Sequence, residues 1–498
     1  MQISNRIIDP AIIACLFLIA IFAPHSIAVT QTAWLVGMTL WVLRFAFFPR
    51  PRLFRSPVDY LLLGFFVLSG ISGVFSYSPI MSIGKMRAAS LFTIVYLVSQ
   101  NVQSLRIARL LAFALIGSCM VNVLWTAEQL AVGRGVKVHG VSAESPLAKA
   151  VFHTRTVNKA TPIVDGDVVW QVDDRHVDDA EELAAALVSG QGGVARVRIY
   201  RVEWTPELEV PRTLLTGTTT LQQLGIASWT RGRDWRATGF YGHWTTYAEV
   251  LQLIASLALG LLLGLSQKKS ATGLLLLLAV GGLLFALAMT VTRGSWIGFA
   301  VSVVAMLLLS VSRRTVLILA GCTIPVVLAG LFLLQQRRNI GFFDTNDQST
   351  SWRQMVWREG FNLLVSNPRH LLVGVGMDSI KGHWREWGLF DHGRQPMGHM
   401  HSNLLQIALE RGVPALIAWL LLFVIYIRML WRLIQQTSDF SRGLALGALG
   451  GALGFFTSGL VHYNWGDSEV VTVFYFIMGL TLVVERIAFL GPQKRSDR

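Results

Sequence analysis

The sequence predicts an all-α polytopic membrane protein of about twelve transmembrane helices, interrupted by one small α+β insertion. Three observations lead there. Of 498 residues, 53% are hydrophobic and only 14% charged, with a mean hydropathy of +0.52, whereas an ordinary soluble domain carries about 25% charged residues. Apolar runs of about 20 residues, enough to cross ~30 Å of hydrocarbon as a helix, recur along the chain. Between Val132 and Arg236 that pattern stops, and 13 Lys/Arg stand against 13 Asp/Glu. Such a composition excludes a soluble globular enzyme and a disordered chain.

The spans are expected at roughly 8–24, 27–48, 58–76, 86–100, 107–131, 237–266, 271–291, 295–312, 315–335, 402–427, 443–462 and 468–490. They are read as helices because every backbone N–H and C=O must be paired inside the bilayer. The run from Pro10 to Phe22 lacks a small-residue cleavage site and is read as an uncleaved helix. Cys15, Cys119 and Cys322 each lie within an apolar run, which argues against a disulfide framework or a zinc site.

The net charge of +14 arises outside the insertion, mostly in short loops. That placement suits membrane orientation and not nucleic-acid binding. One side carries Arg6; Arg50, Arg52 and Arg55; Arg106 and Arg109; Lys268 and Lys269; Arg313 and Arg314; Arg428, Arg432 and Arg442; and Lys494, Arg495 and Arg498. The opposite short turns hold Lys85, Arg87 and Arg293. By the positive-inside rule both termini are expected in the cytoplasm. The organisation is then 1–131 (five spans), 132–236 (the insertion), 237–335 (spans six to nine), 336–401 (a large outer loop) and 402–498 (three spans and a cytoplasmic tail). Outer loops this long usually carry function.

In the insertion, Val168 to Val172 reads as a strand and Asp173-Asp174 as a turn. Asp178 is expected to cap a helix over 179–187, which Gly190, Gly192 and Gly193 end. Val194 to Tyr200 is a second strand. This strand–turn–strand–helix–strand order, with GDVVWQVDDRHV at its heart, resembles a PDZ-like domain over about 70 residues. The resemblance implies a periplasmic module whose sheet edge takes a peptide or protein partner.

Candidate chemistry gathers on the outer side. Arg236 opens RATGFYGHWTTYAEVL at the mouth of the sixth span, followed by His243 and Glu249. A carboxylate within a span needs a partner or a polar cavity, and a spacing of six does not put His243 and Glu249 on one helix face. Arg293, in TRGSW, sits at the turn between spans seven and eight, where a guanidinium can fork onto phosphate or snorkel to headgroups. Trp352, Arg353, Trp357 and Arg358 mark an interfacial amphipathic segment. Gly374 and Gly376 allow a close backbone approach. His399 and His401 flank Met400 before His401-Ser402-Asn403 starts a helix. A helix N-terminus favours anions and lowers a histidine pKa, leaving a neutral general base. His-x-His can also hold zinc, but no Cys or carboxylate lies nearby at matching spacing, so no metal is expected. Walker, G-x-G-x-x-G, H-E-x-x-H and G-x-S-x-G patterns are absent, which leaves ATP-driven transport and hydrolase chemistry without support.

Together TRGSW, WRQMVWREGFNLLVSNPRHLLVGVGMDS and HMHSNLLQIALERGVPALIAWLL resemble the O-antigen ligase and O-antigen polymerase (Wzy-like) superfamily, in detail over roughly 236–430. The resemblance implies a membrane glycosyltransferase of lipopolysaccharide or surface polysaccharide biosynthesis. Such an enzyme moves a glycan from an undecaprenyl-diphosphate carrier to an acceptor hydroxyl on the periplasmic face of the bacterial inner membrane. By the same resemblance His401 is the base and Arg293 the main diphosphate ligand. Arg236 and Arg353 are further substrate ligands, with His399 and Asn403 beside them. No cofactor is implied, and the partners are the lipid-linked donor, lipid A–core or another glycan or protein acceptor, and membrane lipids. A polymerase and a protein O-oligosaccharyltransferase are close alternatives. A transporter or flippase predicts internal repeats and midplane charges that the sequence does not display.

Overall fold

The computed structural model describes residues 7–48, 50–153, 158–201, 205–233, 235–310, 314, 348–395 and 397–490. The chain divides into two compact units: Met1–Asn122 with Thr238–Arg498, and Val123–Ala237. In chain order the first seven helices are α1 (Asp9–Phe22), α2 (Ile27–Arg44), α3 (Asp59–Val74), α4 (Pro79–Gly84), α5 (Met86–Ala89), α6 (Thr93–Asn101) and α7 (Leu105–Val132).

The second unit is built on an eight-stranded antiparallel sheet. Its strands are β1 (Arg134–Val141), β2 (Val151–His153), β3 (Asn158–Ala160), β4 (Val168–Val172), β5 (Arg175–His176), β6 (Val194–Tyr200), β7 (Glu207–Pro211) and β8 (Ile226–Gly232). They run β3-β2-β7-β6-β4-β1-β8, with β5 paired to β4. Asp173 and Asp174, both at positive φ, close the β4–β5 hairpin, as the turn chemistry of the sequence suggests. Helices α8 (Ala180–Ser189) and α9 (Thr220–Leu224) join it. The cap of α8 is Asp179, whose side chain accepts from the Glu182 N–H. The expected cap, Asp178, instead accepts from the Gly135 N–H at 2.9 Å, drawn off by β1. Leu183 and Leu187 of α8 pack with Val136, Val169, Val172 and Val197 of the strands in one apolar core.

The first unit resumes with α10 (Trp244–Gly264), α11 (Ala271–Met289) and α12 (Arg293–Ser310). Then come α13 (Gln348–Val365), α14 (Pro368–Val373), α15 (Ser379–His383), α16 (Leu389–Gly393) and α17 (Asn403–Arg411). It closes with α18 (Val413–Gln436), α19 (Asp439–Ser458) and α20 (Ser468–Leu490). Among the described residues, eight helices are long and apolar enough to cross a membrane: Ile27–Arg44, Pro79–Asn101, Leu105–Val132, Trp244–Gly264, Ala271–Met289, Arg293–Ser310, Val413–Gln436 and Ser468–Phe489. Asp9–Phe22 and Asp59–Val74 are shorter apolar helices. The protein is therefore a mostly helical, multi-span membrane protein with one small antiparallel sheet. The span expected at 315–335, with Cys322, lies outside the described residues.

Several expected spans change their limits: the fourth begins at Pro79 and not near 86, and the eleventh is Asp439–Ser458 and not 443–462. The sixth begins at Trp244 and not near 237, because a turn of 3-10 helix at Gly239–Tyr241 precedes it. The tenth, expected over 402–427, is two helices. Gly412, at φ +84°, ends α17, and Pro414 lies in the first turn of α18. That backbone geometry favours glycine, and proline restarts a helix without needing its N–H.

Helix α10 lies along α19 through glycines, Gly260 and Gly264 facing Gly443 and Gly447, so the two backbones touch without side chains between them. Small residues of this kind let helices approach closely where water supplies no hydrophobic drive. Polar bonds fasten the same contact. The Gln252 amide donates to Ser302 Oγ at 3.1 Å, and Ser302 Oγ donates to the Gly450 carbonyl at 2.6 Å.

A Cβ at Gly447 would stand 2.7 Å from Leu257 Cα and 2.9 Å from its carbonyl oxygen, both backbone atoms. Gly447→Val should therefore cost about 1–3 kcal/mol or more, read as a lower unfolding temperature of the purified protein in detergent. Gly281→Ala, with open space around its Cβ, should leave that temperature unchanged.

Candidate active site

Helix α17 is the element on which the site is built. Asn403, Gln406 and Glu410 recur at helical spacing, so they share one face, and all three are buried. A polar face turned inward must find partners, and each residue finds them in a different segment. The Asn403 side-chain amide donates to Asn464 Oδ1 at 2.6 Å, its Oδ1 accepts from the Trp465 N–H at 3.1 Å, and its main-chain N–H donates to the Gly459 carbonyl at 2.7 Å. Gln406 Oε1 accepts from the Met400 N–H at 2.6 Å, and its amide donates to Glu410 Oε1 at 2.9 Å. Glu410 also accepts from the Asp378 N–H at 2.9 Å and the Tyr463 hydroxyl at 3.2 Å.

These bonds hold the histidine loop. Met400 is fully buried, and its carbonyl accepts from Trp357 Nε1 of α13 at 2.8 Å. His399 and His401 project on either side, with ring centroids 4.1 Å apart. The His401 N–H donates to His399 Nδ1 at 3.3 Å, and the edge of Trp352 meets the His401 ring at 4.6 Å. His401 itself sits at φ +46°, a conformation that a non-glycine residue holds only when its surroundings enforce it. Both histidines are pushed towards the neutral form. Burial lowers His399 to about 4, aided by the positive charges of His462, His243 and Lys381. Burial likewise lowers His401 to about 2, aided by His399, Arg353, His462 and His243.

Arg293 heads α12 after a tight turn in which Val291 takes φ +51°, an uncommon value for a β-branched residue. Gly294, next in the chain, packs on the His462 ring, where a Cβ would stand 2.7 Å from Cε1. His462 Nδ1 is 2.8 Å from Glu249 Oε1, and both are buried. This pair answers the question that Glu249 raised in the sequence: its partner is His462, and His243 instead stands at the N-terminus of α10 with its ring stacked on Trp244. Thr246 donates to Asp467 at 2.6 Å, and burial, with a hydrogen bond to Glu469, raises Asp467 to about 8.

The first unit thus brings Arg353, His399 and His401 together and sets Arg293 one residue from the glycine that packs on His462. Arg236 belongs to the second unit. It is 9% exposed, and its main-chain N–H donates to the Tyr200 hydroxyl at 3.3 Å. Asn403 is 1% exposed, with its carboxamide engaged by the 459–465 connection. Gly374 and Gly376 make the close approach their pattern allows: the Val375 and Gly376 N–H groups bond the Leu409 and Glu410 carbonyls at 2.8 and 3.0 Å. His462 and Asp467 were not singled out by sequence reasoning. The signal was the polar stretch HYNWGDSE between the last two apolar runs. Among the described residues, no group of three or more His, Cys, Asp or Glu side chains gathers as for a metal ion.

Residues 274–420 match the family model Wzy_C, described as O-antigen ligase. The match takes in α11, α12, the connection with Arg353, the histidine loop, α17 and the start of α18. It contains Arg293, Arg353, His399, His401 and Asn403, whereas Arg236, Glu249, His462 and Asp467 fall outside it. No curated protein matches the chain. The class so defined is a multi-span membrane protein with a region similar to the O-antigen ligase family, a similarity that suggests a glycosyltransferase-like enzyme of polysaccharide biosynthesis.

Two outcomes follow from the geometry. In an NMR titration of the ring signals, His401 and His399 should both stay neutral from about pH 8 to about pH 5, with His399 protonating first on further acidification. A His401 transition near the ordinary value of about 6.5 would contradict its burial. Asn403→Ala removes the acceptor of the Trp465 N–H and the donor to Asn464 Oδ1, at a cost of about 1–3 kcal/mol each. It should lower the unfolding temperature well below that of a surface control such as Lys269→Ala.

Proposed function

We propose that this chain transfers a glycan from an undecaprenyl-diphosphate carrier to an acceptor hydroxyl, on the periplasmic face of the bacterial inner membrane with both termini in the cytoplasm. The observation that carries the reading is the neutral His399–His401 pair beside Arg353, within the segment that matches the O-antigen ligase family. His401 takes the acceptor proton as the acceptor oxygen bonds the anomeric carbon. The bond from that carbon to the diphosphate oxygen breaks, and the electron pair leaves with the carrier. A diphosphate leaving group needs cationic contact more than protonation. Arg293 is its main ligand, with Arg353 as a further substrate ligand and His399 alongside, while Asn403 holds the loop that carries the histidines. The donor is already activated, so no nucleotide or cofactor is required.

The depressed His401 pKa fits this order of events. Burial is the main reason His401 stays neutral, and the positive charge around it, Arg353 included, adds to this and is the charge an arriving diphosphate meets. Lipid A–core is the acceptor in the ligase reading. Polymerisation on the carrier, and transfer to a protein hydroxyl, use the same chemistry on a different acceptor. The second unit is proposed as a PDZ-like module that takes an extended peptide on a sheet edge.

The test is a deletion strain complemented with wild type, His401→Ala or Arg293→Ala, with lipid A–core, carrier-linked glycan and released polymer resolved separately. Both variants should reduce transfer by about 10²-fold or more at normal protein level. Loss of capped lipid A–core with build-up of carrier-linked polymer marks a ligase, and short carrier-linked units mark a polymerase. Full activity in both variants would overturn the assignment.

A further inference from the structure

A cavity of about 100 Å³ opens in the first unit, with Phe65, Lys85, Asp378, Arg411, Tyr463 and Trp465 in its lining. Tyr463 also forms part of the surroundings of the histidine loop, its ring centroid 5.6 Å from that of His399. At ~30 Å³ per water molecule, the cavity has room for one compact polar group and not for a chain of sugars.

Its charged side chains differ in how far they are satisfied. Asp378 is paired with Lys85 at 2.8 Å and Lys381 at 3.1 Å. Glu410 is engaged by Gln406, the Asp378 N–H and Tyr463. Arg411 stands apart. It is 7% exposed, its Cζ lies 5.1 Å from the Phe65 ring centroid, and its Nε and Nη1 have no hydrogen-bond partner among the described residues. A buried guanidinium with unmade bonds is costly, and an oxyanion that meets its fork with two oxygens removes that cost. The charged residues of the lining are Lys85 and Arg411 with Asp378 and Glu410, and two of the Arg411 nitrogens remain without a hydrogen-bond partner among the described residues.

We propose that this cavity is a subsite for an oxyanion carried on a sugar, the carboxylate of a uronic acid or a phosphate ester, with Arg411 as its ligand. The inference rests on the glycan-transfer reading and adds to it a preference for acidic saccharides. Arg411 is not needed for the transfer step. It selects what is transferred or what receives it.

The test uses the purified full chain in lipid nanodiscs and ligand-observed NMR with four probes: glucuronic acid, glucose 6-phosphate, inorganic phosphate and glucose. Saturable binding of glucuronic acid or glucose 6-phosphate is expected, with glucose at least tenfold weaker. The preferred acid identifies which oxyanion the subsite takes. Arg411→Gln should weaken that binding by roughly tenfold or more, and Arg411→Lys by less, since it keeps the charge and loses the fork. The wild-type comparison of acid with neutral sugar needs no variant, so it stands even if Arg411→Gln fails to fold. Equal binding of glucose and glucuronic acid, binding of inorganic phosphate alone, undiminished binding by a folded Arg411→Gln, or no binding at all would each overturn the proposal. His401→Ala should lose transfer and keep probe binding. If wild type binds acidic sugar through Arg411 yet transfers no glycan, the subsite stands and the transfer reading falls.

Discussion

The inward-facing polar side of α17 is the constraint on which the site depends. Asn403, Gln406 and Glu410 lie where water does not reach, so each must be satisfied by protein. Each therefore fastens a different piece of chain: the 459–465 connection, the Met400 backbone, and the Asp378 N–H with Tyr463. Low dielectric strengthens such bonds and raises the cost of breaking any one of them. The histidine loop inherits its position from this network and not from packing alone. Its left-handed His401 is held between the bonded Met400 and the start of α17.

Electrostatics then sets what the loop can do. Withdrawal from water and surrounding positive charge both act against an imidazolium, so His399 and His401 carry lone pairs and no charge. His462 has a different neighbour: the buried side chain of Glu249 lies 2.8 Å from its Nδ1. A carboxylate fixes a histidine's ring orientation and tautomer, and here it does so next to the turn that begins α12 at Arg293.

The backbone does comparable work where side chains would be in the way. Gly376 passes so close to Ser76 and Ser82 that no Cβ could be added, and its N–H reaches the Glu410 carbonyl. Gly412 turns the chain between α17 and α18. Both lie beside the cavity that contains Arg411, whose neighbours Phe65 and Asp378 come from parts of the chain far apart in sequence.

By itself the sequence determined the membrane class, most of the spans, the strands 168–172 and 194–200, and the candidate importance of TRGSW and HMHSN. These are local properties: length of apolar run, alternation, turn chemistry and a short motif, each readable in a window of ten to twenty residues. The limits of α17 and α18 were misread because hydropathy does not register a φ of +84° at Gly412. Only the tertiary structure paired Glu249 with His462, 213 residues away, and assigned Asn403 to the 459–465 connection. It alone gathered Phe65, Asp378, Arg411 and Tyr463 around one cavity. A buried polar group needs a partner, and the sequence states that need, but which distant segment meets it depends on how the helices pack.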